Sequence, residues 1–149
     1  MVSAFLLAPR AQGHFPELLD RNLDRAERAG VPVRLVVGDF HALEAALAAA
    51  ASVVDAVLGT GARGAPSGPA GEAIALLASV RAPILSIDIP SGLDCDTGEA
   101  HGVFVRARIT AALGLLKKGL LAPAAVEWVG RLEVVDIGLP PALLREVLG

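Results

Sequence analysis

Short apolar runs alternate along the chain with longer segments whose apolar residues recur at helical spacing. The runs are typical of buried β-strands and predict them at residues 3–8, 33–37, 53–58, 84–87, 107–113 and 132–135. The segments between them predict helices at residues 16–29, 41–51 and 69–80, the first with proline in its first turn and glycine after its end. This order predicts an α/β fold in which right-handed crossovers place helices on both faces of a parallel sheet.

The composition agrees with a buried sheet covered by helices of small side chains. Of the 149 residues, 54% are hydrophobic, 19% are charged and 3% are aromatic, so the core must be built mainly from Ala, Val, Leu and Ile. A chain of this length is typical of one domain with a sizeable core. We therefore expect residues 1–149 to form a single domain.

Charge and cysteine content argue against several functional classes. The 13 Lys and Arg and 16 Asp and Glu give a net charge of −3, and the basic residues are scattered, which argues against nucleic-acid binding. No apolar stretch approaches the ~20 residues of a membrane-spanning helix. The single cysteine, Cys95, excludes a disulfide framework, and the three histidines (His14, His41 and His101) are too far apart in sequence to favour zinc. We expect a cytoplasmic protein that binds a small polar ligand.

A glycine-rich stretch follows the third predicted strand. Ligands of open α/β sheets bind beyond the carboxyl ends of the strands, where GTGARGAPSGP, residues 59–69, is placed. Backbone N–H groups of such a loop, with the positive end of the next helix dipole, can bind a phosphate. The alternative is a flexible turn, because glycine patterns alone are weak evidence.

An aspartate lies at the apolar end of the fourth predicted strand, in ILSIDIPSGLDCDTG, residues 84–98. A buried carboxylate is costly unless it meets hydrogen-bond donors, a cation or a ligand, so Asp88 is a candidate functional residue. The alternative is that Asp88 caps the backbone of its own loop. Asp94 and Asp96, farther along, are predicted to form turns.

A second acidic residue, Asp55, lies within the third predicted strand. Two carboxylates that approach one crevice indicate a bound cation or a polar substrate, and a monovalent or hard cation would fit Asp55 together with Ser91. The alternative for Asp55 is a structural role in which it pairs with a loop amide.

Two adjacent lysines, Lys117 and Lys118, lie within the apolar segment GLLKKGLL. One of them could point into the crevice as a donor or acid while the other is solvated; alternatively, both extend into solvent. Cys95 is expected to be chemically inert, because no histidine lies near it in sequence to activate the thiol.

Four segments resemble the NAD(P)H-hydrate epimerase family, the YjeF N-terminal domain, in order and spacing: VDAVLGTGARGAPSGP, APILSIDIPSGLDCDTGEAHG, RARITAALGLLKKGLL and GRLEVVDIGLP. The resemblance covers residues 50–140, and DIPSGLDxDTG is its most specific part. It implies a Rossmann-like three-layer αβα sandwich with a mostly parallel sheet, usually a homodimer. The implied activity is interconversion of the R and S epimers of hydrated NADH and NADPH (NADHX and NADPHX), alongside an NAD(P)H-hydrate dehydratase that acts on one epimer.

The resemblance also implies roles for individual residues. Asp88 matches the acid that binds the substrate near its reacting end, which makes it the candidate acid and base for proton transfer at the hydrated nicotinamide ring. Lys117 matches a lysine of the family and is the second candidate catalytic residue, whereas Asp55 and Ser91 match the ligands of a potassium ion. The loop implied to contact the substrate's phosphates consists of Gly59, Thr60, Gly61, Ala62, Arg63, Gly64 and Ala65.

One part of the chain departs from the family pattern. Family members carry N-terminal helices and an Asn-Asn-Gly-Gly-Asp loop after the first strand, where a gapless reading of this chain has His14, Phe15, Pro16, Glu17 and Leu18. Two hypotheses follow: an NAD(P)H-hydrate epimerase, or a catalytically inactive relative that binds a nucleotide or serves as a dimerisation or scaffold module. A Rossmann redox domain is disfavoured, because no G-x-G-x-x-G follows the first strand.

Overall fold

The computed structural model describes residues 2–7 and 17–148. These residues belong to two compact units, Met1–Ala49 and Ala50–Gly149, and each is described by itself below. The predicted end of the first strand, the predicted start of the first helix and the positions of His14, Phe15 and Pro16 lie outside the described residues. The single domain expected from chain length stays a prediction.

The first unit contains two parallel strands and two helices. Strand β1 (Ala4–Leu7) pairs with β2 (Val33–Val36) in parallel, and helices α1 (Glu17–Arg28) and α2 (His41–Ala48) complete the unit. Helix α1 carries acidic residues in its first turn and arginines in its last, an arrangement that the helix dipole favours. The chain leaves α1 through Gly30, whose φ of +74° suits glycine.

The second unit is a four-stranded sheet with connecting helices. Its strands are β3 (Val53–Asp55), β4 (Ile84–Ile87), β5 (Ile109–Leu113) and β6 (Arg131–Val135), which lie side by side in that order and pair in parallel. Its helices are α3 (Gly68–Ala78), α4 (Val126–Val129) and α5 (Pro141–Leu148). The parallel pairing in both units confirms the predicted α/β class.

The loop after β4 is part of the hydrophobic core. Its residues Ile89 and Leu93 are 2% and 7% exposed and pack with Cys95, Ala112 and Leu120. A loop with this many buried apolar side chains is held by packing as firmly as a strand, at roughly 1.5–3 kcal/mol for each large apolar side chain buried. The loop therefore gives fixed positions to the polar residues that it carries.

Several element boundaries differ from those predicted. The third strand ends at Asp55 instead of residue 58, because the N–H groups of Val57 and Leu58 bond to Asp55 Oδ1 and Ser91 Oγ instead of a neighbouring strand. The second helix ends at Ala48, the fifth strand begins at Ile109, and the sixth begins at Arg131. Helices α4 and α5 were not predicted, and two short 3₁₀ turns precede α4.

Among residues 2–7 and 17–148, none of the helices has both the length and the apolar character required to cross a bilayer.

Candidate functional site

The carboxyl ends of β3, β4 and β5 bring the predicted polar residues to one edge of the sheet. Asp55 is the last residue of β3 and lies in register with Ser86 of β4, while Ile87 of β4 pairs with Ala111 of β5. Asp88 follows β4 directly, and Lys117 follows β5 by a short turn. Parallel strands therefore place two aspartates and one lysine, distant in sequence, at the same edge.

Asp88 has an unusual backbone conformation. It is the one residue other than glycine in the described part of the chain with a positive φ, at +72°. The N–H of Ile89 donates to the carbonyl of Ile87 at 2.9 Å, which closes a three-residue γ-turn around Asp88, and the N–H of Asp88 donates to the carbonyl of Ala111 at 2.8 Å. Positive-φ γ-turns of this kind are rare and strained, and such strain is concentrated at functional sites.

The Asp88 side chain forms an ion pair with Lys117. Asp88 Oδ1 accepts hydrogen bonds from Lys117 Nζ and, at 3.2 Å, from the N–H of Leu113. Lys117 Nζ also donates to the carbonyl of Leu113 at 2.9 Å, and the two side chains are only 18% and 20% exposed. In the described residues Oδ2 accepts no hydrogen bond and faces Gly59, where an added Cβ would lie 4.0 Å away. Asp88 thus has one oxygen held by the protein and one directed toward the glycine loop.

Lys117 is fixed by a close backbone contact two residues farther on. The N–H of Gly119 donates to the carbonyl of Cys95 at 2.8 Å, and an added Cβ at Gly119 would lie 2.4 Å from the carbonyl oxygen of Asp94. Only glycine fits so near another backbone. Lys118 is exposed to solvent, whereas Lys117 points inward to Asp88. Of the two alternatives predicted for these lysines, the structure has the one in which only one of them is solvated.

Asp55 is fully buried and completely hydrogen-bonded. Oδ1 accepts from Ser91 Oγ at 2.6 Å and from the N–H of Val57 at 3.3 Å, while Oδ2 accepts from Ser86 Oγ at 2.8 Å and from the N–H of Ser91 at 2.9 Å. These bonds tie β3 to β4 and to the loop after β4. The pairing with a loop amide, one of the two predicted alternatives for Asp55, is present.

Asp55, as it is hydrogen-bonded in this structure, has no free oxygen position for a potassium ion. A carboxylate offers about four lone-pair directions, and four hydrogen-bond donors point at Asp55. Ser91 Oγ also accepts from the N–H of Leu58 at 2.9 Å. An ion held by Asp55 and Ser91 would have to replace at least one of these hydrogen bonds, so potassium binding stays a prediction of the resemblance.

The glycine loop, residues 59–65, is exposed apart from partly buried Ala62 and is held by its own arginine. Arg63 Nη1 donates to the carbonyls of Thr60 and Ala62 at 2.9 and 3.0 Å, and it lies 3.6 Å from Cys95 Sγ. Among the described residues, the N–H groups of Thr60, Gly61 and Gly64 have no hydrogen-bond acceptor. The loop can therefore offer backbone donors to an anion, as predicted for a phosphate-binding loop, although α3 begins only at Gly68.

The glycine loop packs closely against the loop after β4. The space between them is a cavity of about 10 Å³, lined in part by Gly59, Gly64, Pro90 and His101. A cavity of this size holds no more than one water molecule. A ligand larger than a water molecule therefore does not fit between the two loops in this structure.

Asp94 forms the turn expected of it. Its Oδ1 accepts from the N–H groups of Asp96 and Thr97, each at 2.9 Å, and its Oδ2 lies 3.9 Å from His101 Nε2. The hydrogen bonds from Thr97 and Asp96 lower the pKa of the Asp94 carboxyl below its ordinary value.

Sequence reasoning missed three contributors to the site. Ser86 was read as part of an apolar strand, although a hydroxyl residue inside such a strand is itself a sign of a buried partner. The backbone of Leu113 and the side chain of His101 had no signal, because their roles depend on which loops the fold brings together.

Comparisons with known proteins identify the family of the chain. The profile of the family described as YjeF-related protein N-terminus matches residues 1–119. An NAD(P)H-hydrate epimerase of Elusimicrobium minutum is 35% identical over 141 residues, 95% of this chain and 63% of its own length. The bifunctional NAD(P)H-hydrate repair enzyme Nnr of Pyrobaculum aerophilum is 51% identical over 89 residues, 60% of this chain and 18% of its own length.

A solved structure has the same fold. The crystal structure of yeast ynu0, YNL200c, superimposes with a TM-score of 0.73 at 18% identity and covers 95% of this chain and 58% of its own. This likeness confirms the predicted Rossmann-like αβα sandwich. The chain spans less than two thirds of the length of these relatives.

Proposed function

The chain belongs to the family of YjeF-related protein N-termini, and from this premise we propose that it is an NAD(P)H-hydrate epimerase, which interconverts the R and S epimers of NADHX and NADPHX. Relatives from Elusimicrobium minutum and Pirellula staleyi that are named NAD(P)H-hydrate epimerase support this activity.

The observation that carries the proposal is the environment of Asp88. An acid and base for epimerisation needs a carboxylate that is held in place and still has an oxygen free for the substrate. Lys117 and the backbone of Leu113 hold Oδ1, and Oδ2 faces the glycine loop. The γ-turn keeps this orientation, since rotation about the Asp88 backbone would break its hydrogen bond.

The mechanism that this arrangement supports is a reversible proton transfer. Asp88 Oδ2 takes the proton of the C6 hydroxyl as the bond between C6 and the ring nitrogen breaks, so that C6 becomes a carbonyl and the electron pair of the broken bond stays on the nitrogen. The nitrogen then closes onto the other face of the carbonyl, and Asp88 returns the proton to the oxygen. The composition of the substrate is therefore unchanged. Lys117 stabilises the carboxylate and positions it, and the free N–H groups of residues 59–65 bind the phosphates.

The cellular setting is part of the proposal. We propose a cytoplasmic homodimer that works with an NAD(P)H-hydrate dehydratase, because the family resemblance implies both partners. Several relatives are named bifunctional NAD(P)H-hydrate repair enzymes, which supports a link between the epimerase and a second repair activity. Potassium has no step in this mechanism, because hydrogen-bond donors already occupy Asp55.

Replacing Asp88 tests the proposal. Asp88→Asn keeps the shape of the side chain but removes its basicity, so we expect epimerisation of NADHX to fall by at least about 100-fold. Circular dichroism should show an unchanged fold. Glu99→Gln is the matched control, because Glu99 lies in the same loop, is exposed and should not alter activity. Equal turnover of Asp88→Asn and the wild-type chain would refute the assignment.

A further inference from the structure

A second cleft lies at the other end of the sheet from Asp88. It has a volume of about 730 Å³ and opens where β4 and β5 begin, between the end of α3, the turn into β4 and the segment that enters β5. Ligand sites of small molecules typically have volumes of roughly 300–1,000 Å³. The cleft is therefore large enough for a nucleotide, and it shares no lining residue with the small cavity beside the glycine loop.

The charge of this cleft is wholly basic. Arg81, Arg106 and Arg108 line it, and no acidic residue does. In the described part of the chain none of these arginines forms a salt bridge, unlike Arg21, Arg28, Arg63 and Arg131. Three guanidinium groups around one cleft, in a protein with a net charge of −3, form a local site for an anion.

A stacking contact of Arg106 and backbone hydrogen bonds of Arg108 hold part of the cleft in place before any ligand arrives. The guanidinium of Arg106 stacks on Trp128, 4.4 Å from the ring centroid, which leaves its N–H edge available. The N–H of Arg108 donates to the carbonyl of Ile84 at 2.8 Å, and its own carbonyl accepts from the N–H of Arg131 at 3.0 Å. Preorganised donors lose little conformational entropy on binding.

The end of α3, which borders the cleft, is partly capped. A helix C-terminus carries partial negative charge on its free carbonyls. Here the carbonyl of Leu76 accepts from the N–H and hydroxyl of Ser79, and that of Leu77 accepts from the N–H of Val80. These bonds satisfy two of the last four carbonyls of the helix, and Leu77 and Val80 present apolar side chains to the cleft.

We propose that this cleft binds a phosphorylated small molecule with a planar or apolar body, such as a nucleoside diphosphate. The arginines bind the phosphates, since guanidinium groups match phosphate oxygens in pairs. The apolar wall, which includes Leu77, Pro83 and Ile84, packs against the body of the ligand. The site lies apart from Asp88 and does not depend on the epimerase activity.

Titration of the full chain with ADP and with inorganic pyrophosphate tests this site. Trp128 is the single tryptophan and stacks on Arg106, so its fluorescence should change saturably with ADP, and calorimetry should give the same affinity. Pyrophosphate should bind more weakly, because it lacks the apolar body. The double variant Arg81→Gln/Arg108→Gln should weaken ADP binding by at least about tenfold.

One control variant and one variant of the competing site locate the binding. Arg145→Ala removes an exposed arginine of α5 outside the cleft and should bind ADP with the wild-type affinity. Arg63→Ala alters the glycine loop, the other place where phosphates are proposed to bind, and therefore reports any ADP that binds there instead of in the cleft. Absence of ADP binding by calorimetry up to millimolar concentration would overturn the proposal. So would a loss of affinity in Arg63→Ala that the double variant does not show, or equal affinities for pyrophosphate and ADP.

Discussion

The two aspartates at the sheet edge have different surroundings and therefore different roles. All lone pairs of Asp55 are engaged by the protein, so it can neither accept a proton from a ligand nor bind one without breaking a hydrogen bond. Asp88 is held through one oxygen only. At the scale of the residue, these surroundings suit Asp88 to its proposed role as the reactive carboxylate and give Asp55 a structural one.

The position of Lys117 predicts a contrast between two neighbouring lysines. Lys117→Ala removes the ammonium that holds Asp88, so epimerase activity should fall by at least about tenfold, and Lys117→Arg should restore part of it because the charge returns. Lys118→Ala is the matched control and should keep full activity, since Lys118 is exposed. Equal losses in the two alanine variants, measured as kcat and KM separately, would contradict the role of Lys117.

The hydrogen bonds of Asp55 predict a large effect on stability. Asp55→Ala leaves two hydroxyls and two N–H groups without their acceptor, so the free energy of unfolding should fall by about 3 kcal/mol or more. Denaturant unfolding measures this loss, and Asp55→Asn should lose less.

Thermal unfolding of the wild-type chain tests whether potassium binds at Asp55. If Asp55 is structural, the Tm of the wild-type chain should be equal in potassium and sodium chloride. A Tm that rises with potassium alone would show that the ion displaces a hydrogen bond and binds, as the family resemblance implies.

The positions of these residues could be predicted, but their pairing could not. The apolar runs place Asp55 within the third predicted strand and Asp88 at the end of the fourth, and the structure has both aspartates at the ends of neighbouring strands. Asp88 and Lys117 are 29 residues apart, so their ion pair depends on the order of β4 and β5 in the sheet, which local sequence does not specify.

At the scale of the element, the loop after β4 is built against the turn that carries Lys117. Gly119→Ala should therefore destabilise the chain by about 1–3 kcal/mol, because the new Cβ would lie 2.4 Å from the carbonyl oxygen of Asp94. Gly61→Ala is the matched control, since a Cβ at that position meets no atom within 4 Å. Comparable stabilities of the two variants in urea unfolding would contradict the close contact.

The turn around Asp94 predicts a dependence of stability on pH. Its pKa is lowered in the folded state, so its stabilising contribution is fully present above the ordinary aspartate pKa of ~3.9 and is lost as the pH falls through the folded value. The wild-type chain should be more stable than Asp94→Asn at pH 7, and the difference in Tm should shrink below about pH 4. A difference that is constant from pH 7 to pH 3 would show that the charge is not responsible.

Most elements with a clear period were predicted, although the amphipathic helix α5 was missed. The alternation of strands and helices up to β4 follows from apolar periodicity. Helix α4 and the preceding 3₁₀ turns lie in a segment rich in Ala and Pro, whose small side chains carry no periodic signal. The early end of β3 depends on side-chain bonds to Ser91, a residue far away in sequence.

At the scale of the whole molecule, fold and family were predictable from the sequence, because the DIPSGLDCDTG segment is long and specific. The proposed activity depends on the contacts that Asp88, the first residue of that segment, makes in the fold. The second unit alone contains Asp88, Lys117 and residues 59–65, the parts of the chain that the mechanism requires. The homodimer and the dehydratase partner stay predictions.

The most direct test of the account is to incubate the purified full chain with R-NADHX and with S-NADHX separately and to follow both epimers by chromatography. The account predicts that each sample converges on the same equilibrium mixture, faster than a sample without protein and faster than one with Asp88→Asn. A folded wild-type chain that leaves each epimer unchanged beyond the uncatalysed rate would contradict it and would favour a catalytically inactive binding or scaffold module.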